Sequence, residues 1–284
     1  MESTEMETAL SPRQALNGHR VLRIPGCAFK MGTWNVRSIY EDGKTYNTIQ
    51  EMERMSLDIL GVSEMRWKGK GETGWEKHKI YFSGNYDTHH WNGVGFIVTK
   101  EMAKHVINFT PLTDRVALLK LNGHPFNLNI IQVYAPTAES SDDAIKSFYS
   151  DIMECLKLTK NHDINIIMGD MNAKVGQRPK NDVVGSFGLG SGNERGDRLV
   201  DFCLEHNYVI TNTFFQLPPR RLYTWKSPMD KPGHIVRNQI DYIMVNKRFR
   251  NSFTSVKTYP GADVGSDHNP VVGVLRIKLE KVKK

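Results

Sequence analysis

Ile164-Asn165-Ile166-Ile167-Met168-Gly169-Asp170-Met171-Asn172 is the stretch on which the fold turns. Its first five residues are nearly all apolar and read as a central strand, and polar groups begin where the run stops. Upstream, Ser140 to Lys160 has helical spacing, with Ile145, Phe148, Ile152 and Leu156 on one face and Ser141 as N-cap. Before it, Arg115–Leu121 and Phe126–Tyr134 read as strands, with Asn122-Gly123 as a hairpin signal. Further back, Ala28–Val36, Leu57–Val62, Lys79–Phe82 and Gly95–Thr99 are strand candidates. Thr45–Met55 has helical spacing, and Lys68–Glu76 reads as a glycine-rich loop.

Downstream, Met171–Asn193 is a long loop and Glu194–His206 a helix with Leu199, Phe202 and Cys203 inward. Tyr208–Thr213, Gln239–Val245 and Val271–Ile277 are strands, and Leu217–Arg237, with Pro218, Pro219, Pro228 and Pro232, is irregular. Many strands and few, well-separated helices predict sheet packed on sheet with helices outside. The expected organisation is a mobile leader over 1–25, one domain over 26–277 and a basic tail over 278–284.

Composition narrows the class. The 284 residues carry 38 Lys+Arg against 31 Asp+Glu, a formal net charge of +7, which permits a polyanionic partner without requiring one. Hydrophobic residues make up 39%, which excludes a wholly disordered chain. Cys27, Cys155 and Cys203 form no disulfide framework and no CxxC pair, so a reducing compartment and no structural zinc are expected. No apolar run approaches the roughly 18 residues of a membrane helix.

The chemistry gathers at strand ends, where a side chain is aimed at little entropic cost. Asn35 ends Met31-Gly-Thr-Trp-Asn, and Glu64 follows Ile59-Leu-Gly-Val-Ser. Asp170 and Asn172 follow Ile166-Ile-Met-Gly, and Asp241 sits in Gln239-Ile-Asp-Tyr-Ile-Met-Val. Asp267-His268 precedes the last strand. Such hard oxygen donors suit Mg²⁺, with Mn²⁺ as substitute, and suit phosphodiester cleavage, where a divalent ion screens an anionic substrate. Glu64 and Asp267 are the natural metal ligands, Asp170 can orient and deprotonate water, and Asp241 can fix and charge His268. Taken singly, each has a bland reading as a turn, cap or solvated group; Asp241, an acid inside an apolar strand, is the hardest to dismiss.

Six ordered motifs, Trp34-Asn35-Val36, Ser63-Glu64, Tyr134-Ala-Pro136, Gly169-Asp170-Met-Asn172, Ile240-Asp241-Tyr242 and Ser266-Asp267-His268, resemble the endonuclease/exonuclease/phosphatase superfamily. That superfamily holds DNase I, the abasic-site endonucleases and the endonuclease domains of LINE-type retrotransposons. Thr33-Trp-Asn-Val-Arg-Ser, Glu64-Met-Arg-Trp67 and Gly93-Val-Gly-Phe96 resemble the RTE clade of those elements. The resemblance implies a four-layer α/β sandwich of two packed mixed β-sheets flanked by helices. It implies that Glu64 and Asn35 hold metal, with Asp267 beside them, and that Tyr134 contacts the phosphate or the leaving oxygen. It also implies that Asp170 aligns the nucleophile, Asn172 donates to the transition state, and Thr224 contacts phosphate. Arg37 stands where many abasic-site enzymes have an acid, and Arg237-Asn238-Gln239 where they have an aromatic residue, which fits a general or target-site nickase better.

The partner expected is therefore DNA, nicked on one strand to leave a 3′-hydroxyl and a 5′-phosphate. Arg66, Lys68, Lys174, Arg178, Arg220 and Arg221 follow the motif strands as candidate phosphate contacts. A monomer, intracellular and nuclear rather than cytoplasmic, is the accompanying expectation. Two other readings stand beside it. One is a catalytically silent, domesticated DNA- or chromatin-binding module. The other is a phosphatase of the same superfamily, disfavoured by Ala173-Lys174 where those enzymes carry an aromatic-Arg pair.

Overall fold

The computed structural model describes residues 21–23, 28–86 and 92–277. In chain order the strands begin with β1 (Leu22–Arg23), β2 (Ala28–Asn35), β3 (Ile59–Ser63), β4 (Lys70–Trp75), β5 (His78–Ser83) and β6 (Val94–Thr99). They continue with β7 (Val106–Pro111), β8 (Val116–Leu121), β9 (Gly123–His124), β10 (Leu128–Tyr134), β11 (Ile164–Asp170) and β12 (Tyr208–Ile210). The last are β13 (Trp225–Lys226), β14 (Arg237–Asn238), β15 (Asp241–Asn246), β16 (Phe253–Thr258) and β17 (Val271–Arg276). The helices are α1 (Asp42–Arg54), α2 (Lys100–Ala103), α3 (Asp142–Lys157) and α4 (Glu194–Glu205).

Two mixed sheets dominate. One runs β16-β17-β2-β3-β6-β5-β4 and the other β12-β15-β11-β10-β8-β7. In each sheet one parallel pair lies at the centre, β2 with β3 and β10 with β11. Each of these pairs is joined through a helix, α1 or α3, as a parallel crossover requires. Ser141 caps α3 by accepting the Ala144 N–H, as its position before the periodic run predicts.

Alternation sorts the strands' side chains into three apolar layers. Met31, Ile59, Phe96, Ile130, Ile166 and Ile243 fill the space between the sheets. Trp34, Leu60 and Val62 face α1, while Ile131, Val133 and Ile167 face α3 and α4. Helix, sheet, sheet and helix therefore stack as four layers, the architecture expected from the resemblance. β11 is apolar except for Asn165 and its terminal Asp170, because both of its faces are buried.

Three differences from the sequence reading share one cause. Lys70–Trp75, inside the expected glycine-rich loop, is an edge strand paired with β5. β7 and β16 have no counterpart among the expected strands, and both are also edges. Their registers shift between Val106 and Asn108 and between Phe253 and Ser255, which breaks the alternation a strand is read from. The irregular segment 217–237 is closed at its base by the β13–β14 pair. The expected leader and basic tail fall largely outside the described residues; within 1–25, Leu22–Arg23 pairs in parallel with β9.

Candidate active site

Strand parity builds the site. In β10, Leu128 and Ile130 face the space between the sheets, so Tyr134, two steps of two further, faces it too. The same count from Ile166 and Met168 puts Asp170 on that face, and from Ile243 and Val245 it puts Asp241 there. In the other sheet Met31 leads to Asn35 and Ile59 leads to Ser63. Register completes the alignment: Asn35 pairs with Ser63, Tyr134 with Asp170, and Asp170 with Asp241. Five polar side chains from two sheets thus emerge at one edge of the sandwich, on its inner face.

They touch across the gap between the sheets. Asn35 Nδ2 donates to Glu64 Oε1 at 2.9 Å and to Asp170 Oδ2 at 3.0 Å. Tyr134 Oη donates to Glu64 Oε1 at 3.0 Å. Asp170 Oδ1 accepts the Asn172 backbone N–H at 2.9 Å, and Asn172 Nδ2 donates to the Ala135 carbonyl at 2.9 Å. His268 Nδ1 lies 3.0 Å from Asp241 Oδ2, and its Nε2 lies 3.8 Å from Asp170 Oδ2. The second separation is too long for a direct hydrogen bond and leaves room for a third atom. Tyr134, Glu64, Asn35, Asp170, His268 and Asp241 therefore form one contiguous polar chain.

Burial sets its electrostatics. Asp170 and Asp241 are each 1% exposed and His268 7%. Burial, reinforced by the Asp241 charge, pushes Asp170 up to about 7. Burial alone would depress His268, but the Asp241 and Asp170 carboxylates overcome it and hold the imidazole up at about 9. At neutral pH the ring is an imidazolium shared by two acids. Burial raises Tyr134 as well, so its hydroxyl stays protonated and able to donate.

Gly169 allows β11 to end this way. It adopts φ +149°, and a Cβ there would lie 2.0 Å from the Val133 carbonyl oxygen. Glu64 leaves β3 in the left-handed region at φ +53°, which turns its carboxylate back over the strand ends.

A model of the Endonuclease/Exonuclease/phosphatase family matches residues 32–268, from β2 to the site histidine. The chain belongs to this family. Craniofacial development protein 2 of Bos taurus is 45% identical over 254 residues, covering 89% of this chain and 42% of the relative. The chain thus spans less than half the length of the curated relatives it matches. In fold it is similar to the AP endonuclease LMAP from Leishmania major, with a TM-score of 0.67 at 16% identity over 88% of each chain. It is likewise similar to the endonuclease domain of TRAS1, a telomere-specific non-LTR retrotransposon, with a TM-score of 0.62 at 14% identity over 88% of this chain and 100% of that one.

The family comprises metal-dependent phosphodiester hydrolases, and the residues here fit a hard cation. Asp267 Oδ1 is a buried oxygen with no hydrogen-bond partner, and Asp241 Oδ1 is another. Glu64 supplies carboxylate oxygens in contact with this chain, and Asn35, whose Nδ2 joins it, carries an amide oxygen that accepts the Arg37 N–H and keeps one lone pair. Asp170, Asp241 and His268 also offer one ligand atom each within 4.8 Å of one another, a set that could share an ion only once the imidazolium gives up a proton.

Other expected contacts stand in different surroundings. Thr224, expected at a phosphate, is fully buried, and its Oγ1 accepts the backbone N–H groups of Ile240 and Asp241. It caps the start of β15 and so aims Asp241. Arg178 is paired with Asp197, and Arg221 donates to the Thr258 carbonyl and lies over the Tyr259 ring. In the free chain both therefore hold the protein's own groups. Arg66 pairs with Glu64 Oε2 at 2.8 Å. Lys68 and Arg220 are exposed and Lys174 is half-buried. Asp267 is held by Trp225 Nε1 at 2.9 Å, and Arg37 Nε lies 3.6 Å from its other oxygen.

Several supporting residues escape a motif reading. Gln132 donates to Thr33 Oγ1 at 2.9 Å and to Ser63 Oγ at 3.0 Å, a buried polar bridge between the sheets beneath the site. Its signal was a lone amide in the apolar run Ile130-Ile-Gln-Val133. Trp34 Nε1 donates to the His268 carbonyl at 2.8 Å and Ser266 Oγ to the Asn35 carbonyl at 2.6 Å, tying the histidine loop to β2. Arg115 stacks over the Tyr134 ring at 5.0 Å.

Proposed function

We propose that the chain is a Mg²⁺-dependent DNA endonuclease that hydrolyses one phosphodiester bond, leaving a 3′-hydroxyl and a 5′-phosphate. The observation that carries the reading is the polar chain from Tyr134 through Glu64, Asn35 and Asp170 to His268 and Asp241, hydrogen-bonded except at the 3.8 Å ion-pair step from Asp170 to His268. A binding surface needs no buried imidazolium between two buried acids, whereas phosphodiester hydrolysis uses one. The catalytic unit is residues 26–277, acting as a monomer, and DNA as substrate implies the nucleus. The RTE-like motifs Thr33-Trp-Asn-Val-Arg-Ser, Glu64-Met-Arg-Trp67 and Gly93-Val-Gly-Phe96 support descent from a non-LTR element.

Glu64, Asn35 and Asp267 would hold the ion, which when bound screens the phosphodiester and stabilises the charge of a pentacoordinate transition state. Mn²⁺ would serve in its place. Asp170, fixed by Asn35 and the Asn172 N–H, orients the attacking water, and its raised affinity for protons suits it to accept one near neutrality. The His268 imidazolium, braced by Asp241, faces a non-bridging oxygen. Asn172 keeps its second amide hydrogen for a phosphate oxygen, and the protonated Tyr134 would turn its single hydrogen from Glu64 to another once a cation holds that carboxylate; neither adds negative charge. Lys68, Lys174 and Arg220 collect the flanking backbone.

The test is supercoiled plasmid incubated with the chain and Mg²⁺, with and without EDTA, beside His268→Ala. Relaxed circles from the wild type with metal, and from neither control, are expected. Intact plasmid retained tightly by the protein would replace the reading with a silent DNA-binding module. Phosphate release from a soluble inositol phosphate without nicking would replace it with a phosphatase.

A further inference from the structure

Both carboxylates expected to hold the metal already carry an arginine. Arg66 Nη2 lies 2.8 Å from Glu64 Oε2, and Arg37 Nε lies 3.6 Å from Asp267 Oδ1. Both arginines sit in the left-handed region, Arg37 at φ +48° and Arg66 at φ +60°, immediately after the strand ends that supply Asn35 and Glu64. Neither is placed there by accident of a flexible loop. The Arg37 N–H donates to Asn35 Oδ1 at 3.1 Å, and the two loops are zipped by Ser38 N–H to the Glu64 carbonyl at 2.8 Å and Ile39 N–H to the Met65 carbonyl. The Arg37 side chain is 51% exposed and its acid 23%, so the cation lies on the solvent side of the pair.

We propose that Arg37 and Arg66 are counter-ions which occupy the metal's carboxylates until a phosphate backbone draws them away, so that metal and nucleic acid bind cooperatively. This rests on the endonuclease reading above. In the free chain a divalent ion must compete with two guanidinium groups for Glu64 and Asp267, and it feels their repulsion at short range. A phosphodiester offers each guanidinium a bidentate acceptor of the same geometry as a carboxylate. Transfer of the arginines to phosphate frees Glu64 Oε2 and Asp267 Oδ1 together. Trp225 Nε1 keeps hold of Asp267 Oδ2 meanwhile, so the released carboxylate does not turn away. By linkage, DNA raises metal affinity by the same factor that metal raises DNA affinity.

The experiment reads metal binding, not turnover. Mn²⁺ is titrated into the full chain and followed by the electron paramagnetic resonance signal of the free ion, with and without a phosphorothioate duplex that resists cleavage. Wild type, Arg37→Ala/Arg66→Ala and Arg37→Lys/Arg66→Lys are compared, with duplex binding measured separately by fluorescence anisotropy and folding by thermal melts. The duplex should tighten Mn²⁺ on the wild type about tenfold or more. Without duplex, the double-alanine variant should already bind Mn²⁺ more tightly than wild type and gain less than about threefold from DNA. The double-lysine variant, which keeps the charge, should behave more like wild type. Equal or weaker Mn²⁺ binding by the folded double-alanine variant without DNA overturns the proposal, as does an undiminished DNA effect in it. If the wild type fails to bind the duplex at all, the endonuclease reading falls, and the DNA-free comparison still decides whether the arginines oppose the metal.

Discussion

Replacing Asp241 with Asn removes one charge at nearly constant volume, and its effect has a calculable pH signature. In the native chain the two acids hold His268 at about 9, against 6.5 for an ordinary histidine. With Asp241 neutral, burial is opposed only by Asp170 and, more weakly, by Asp267, and the ring falls toward the ordinary value of about 6.5. At pH 8 the imidazolium fraction then drops from about 90% to about 3%, a loss of roughly thirtyfold from protonation alone. Misorientation of the ring by an amide that can donate to Nδ1 adds to this, for a total of about 10²–10³ in turnover. At pH 6 both proteins are mostly protonated, so the deficit should narrow by the same roughly thirtyfold. Plasmid nicking rates from pH 6 to 9, with thermal melts to confirm folding and a proton NMR titration of His268, measure both parts. A deficit that does not vary with pH, or turnover within about threefold of wild type at pH 8, would refute the charged-imidazole mechanism.

Stability should track the same groups. His268 is raised in the folded chain, so its contribution is whole below about pH 6.5 and lost as pH rises through about 9; Asp170, also raised, loses its contribution as pH rises through about 7. The metal-free chain should therefore melt a few degrees lower at pH 9 than at pH 6.5, with a smaller drop in His268→Gln; equal drops by calorimetry would contradict the coupling. Thr224→Val leaves the buried Asp241 N–H and the half-buried Ile240 N–H without their acceptor, and should cost about 1–3 kcal/mol in urea unfolding while lowering turnover. A Thr224 that only touched phosphate would instead raise KM with stability unchanged. Gly61→Ala puts a Cβ 1.9 Å from Gln132 Oε1 and 2.8 Å from the Met168 methyl, between the sheets. It should cost about 1–3 kcal/mol, and an unaltered urea midpoint would show the gap is looser than drawn.

What could be read in advance was whatever obeys a period. The central strands β2, β3, β10, β11 and β15 carry continuous or alternating apolar residues, and their polar ends stand out against them. Asn35, Glu64, Asp170, Asp241 and His268 were legible for that reason, and the structure brings all five together. The edges were not legible: β4 is largely exposed, and the bulges in β7 and β16 break the alternation. Pairing across the chain was equally hidden. Nothing in Tyr223-Thr-Trp225 reveals that Thr224 turns inward to cap β15 while Trp225 grips Asp267, because both follow from β13 lying against the histidine loop. Basic residues in loops read alike in sequence, yet Arg178 and Arg221 are spent on Asp197 and Thr258, whereas Arg37 and Arg66 face the acids of the site.

The most direct measurement is a Mn²⁺-edge anomalous difference map from crystals of the chain with a cleavage-resistant duplex. The expected result is a peak ligated by Glu64, with Asn35 and Asp267 beside it, and a backbone phosphate between that peak and His268. A peak enclosed by Asp170, Asp241 and His268 alone, or a duplex bound away from this edge of the sandwich, would contradict it.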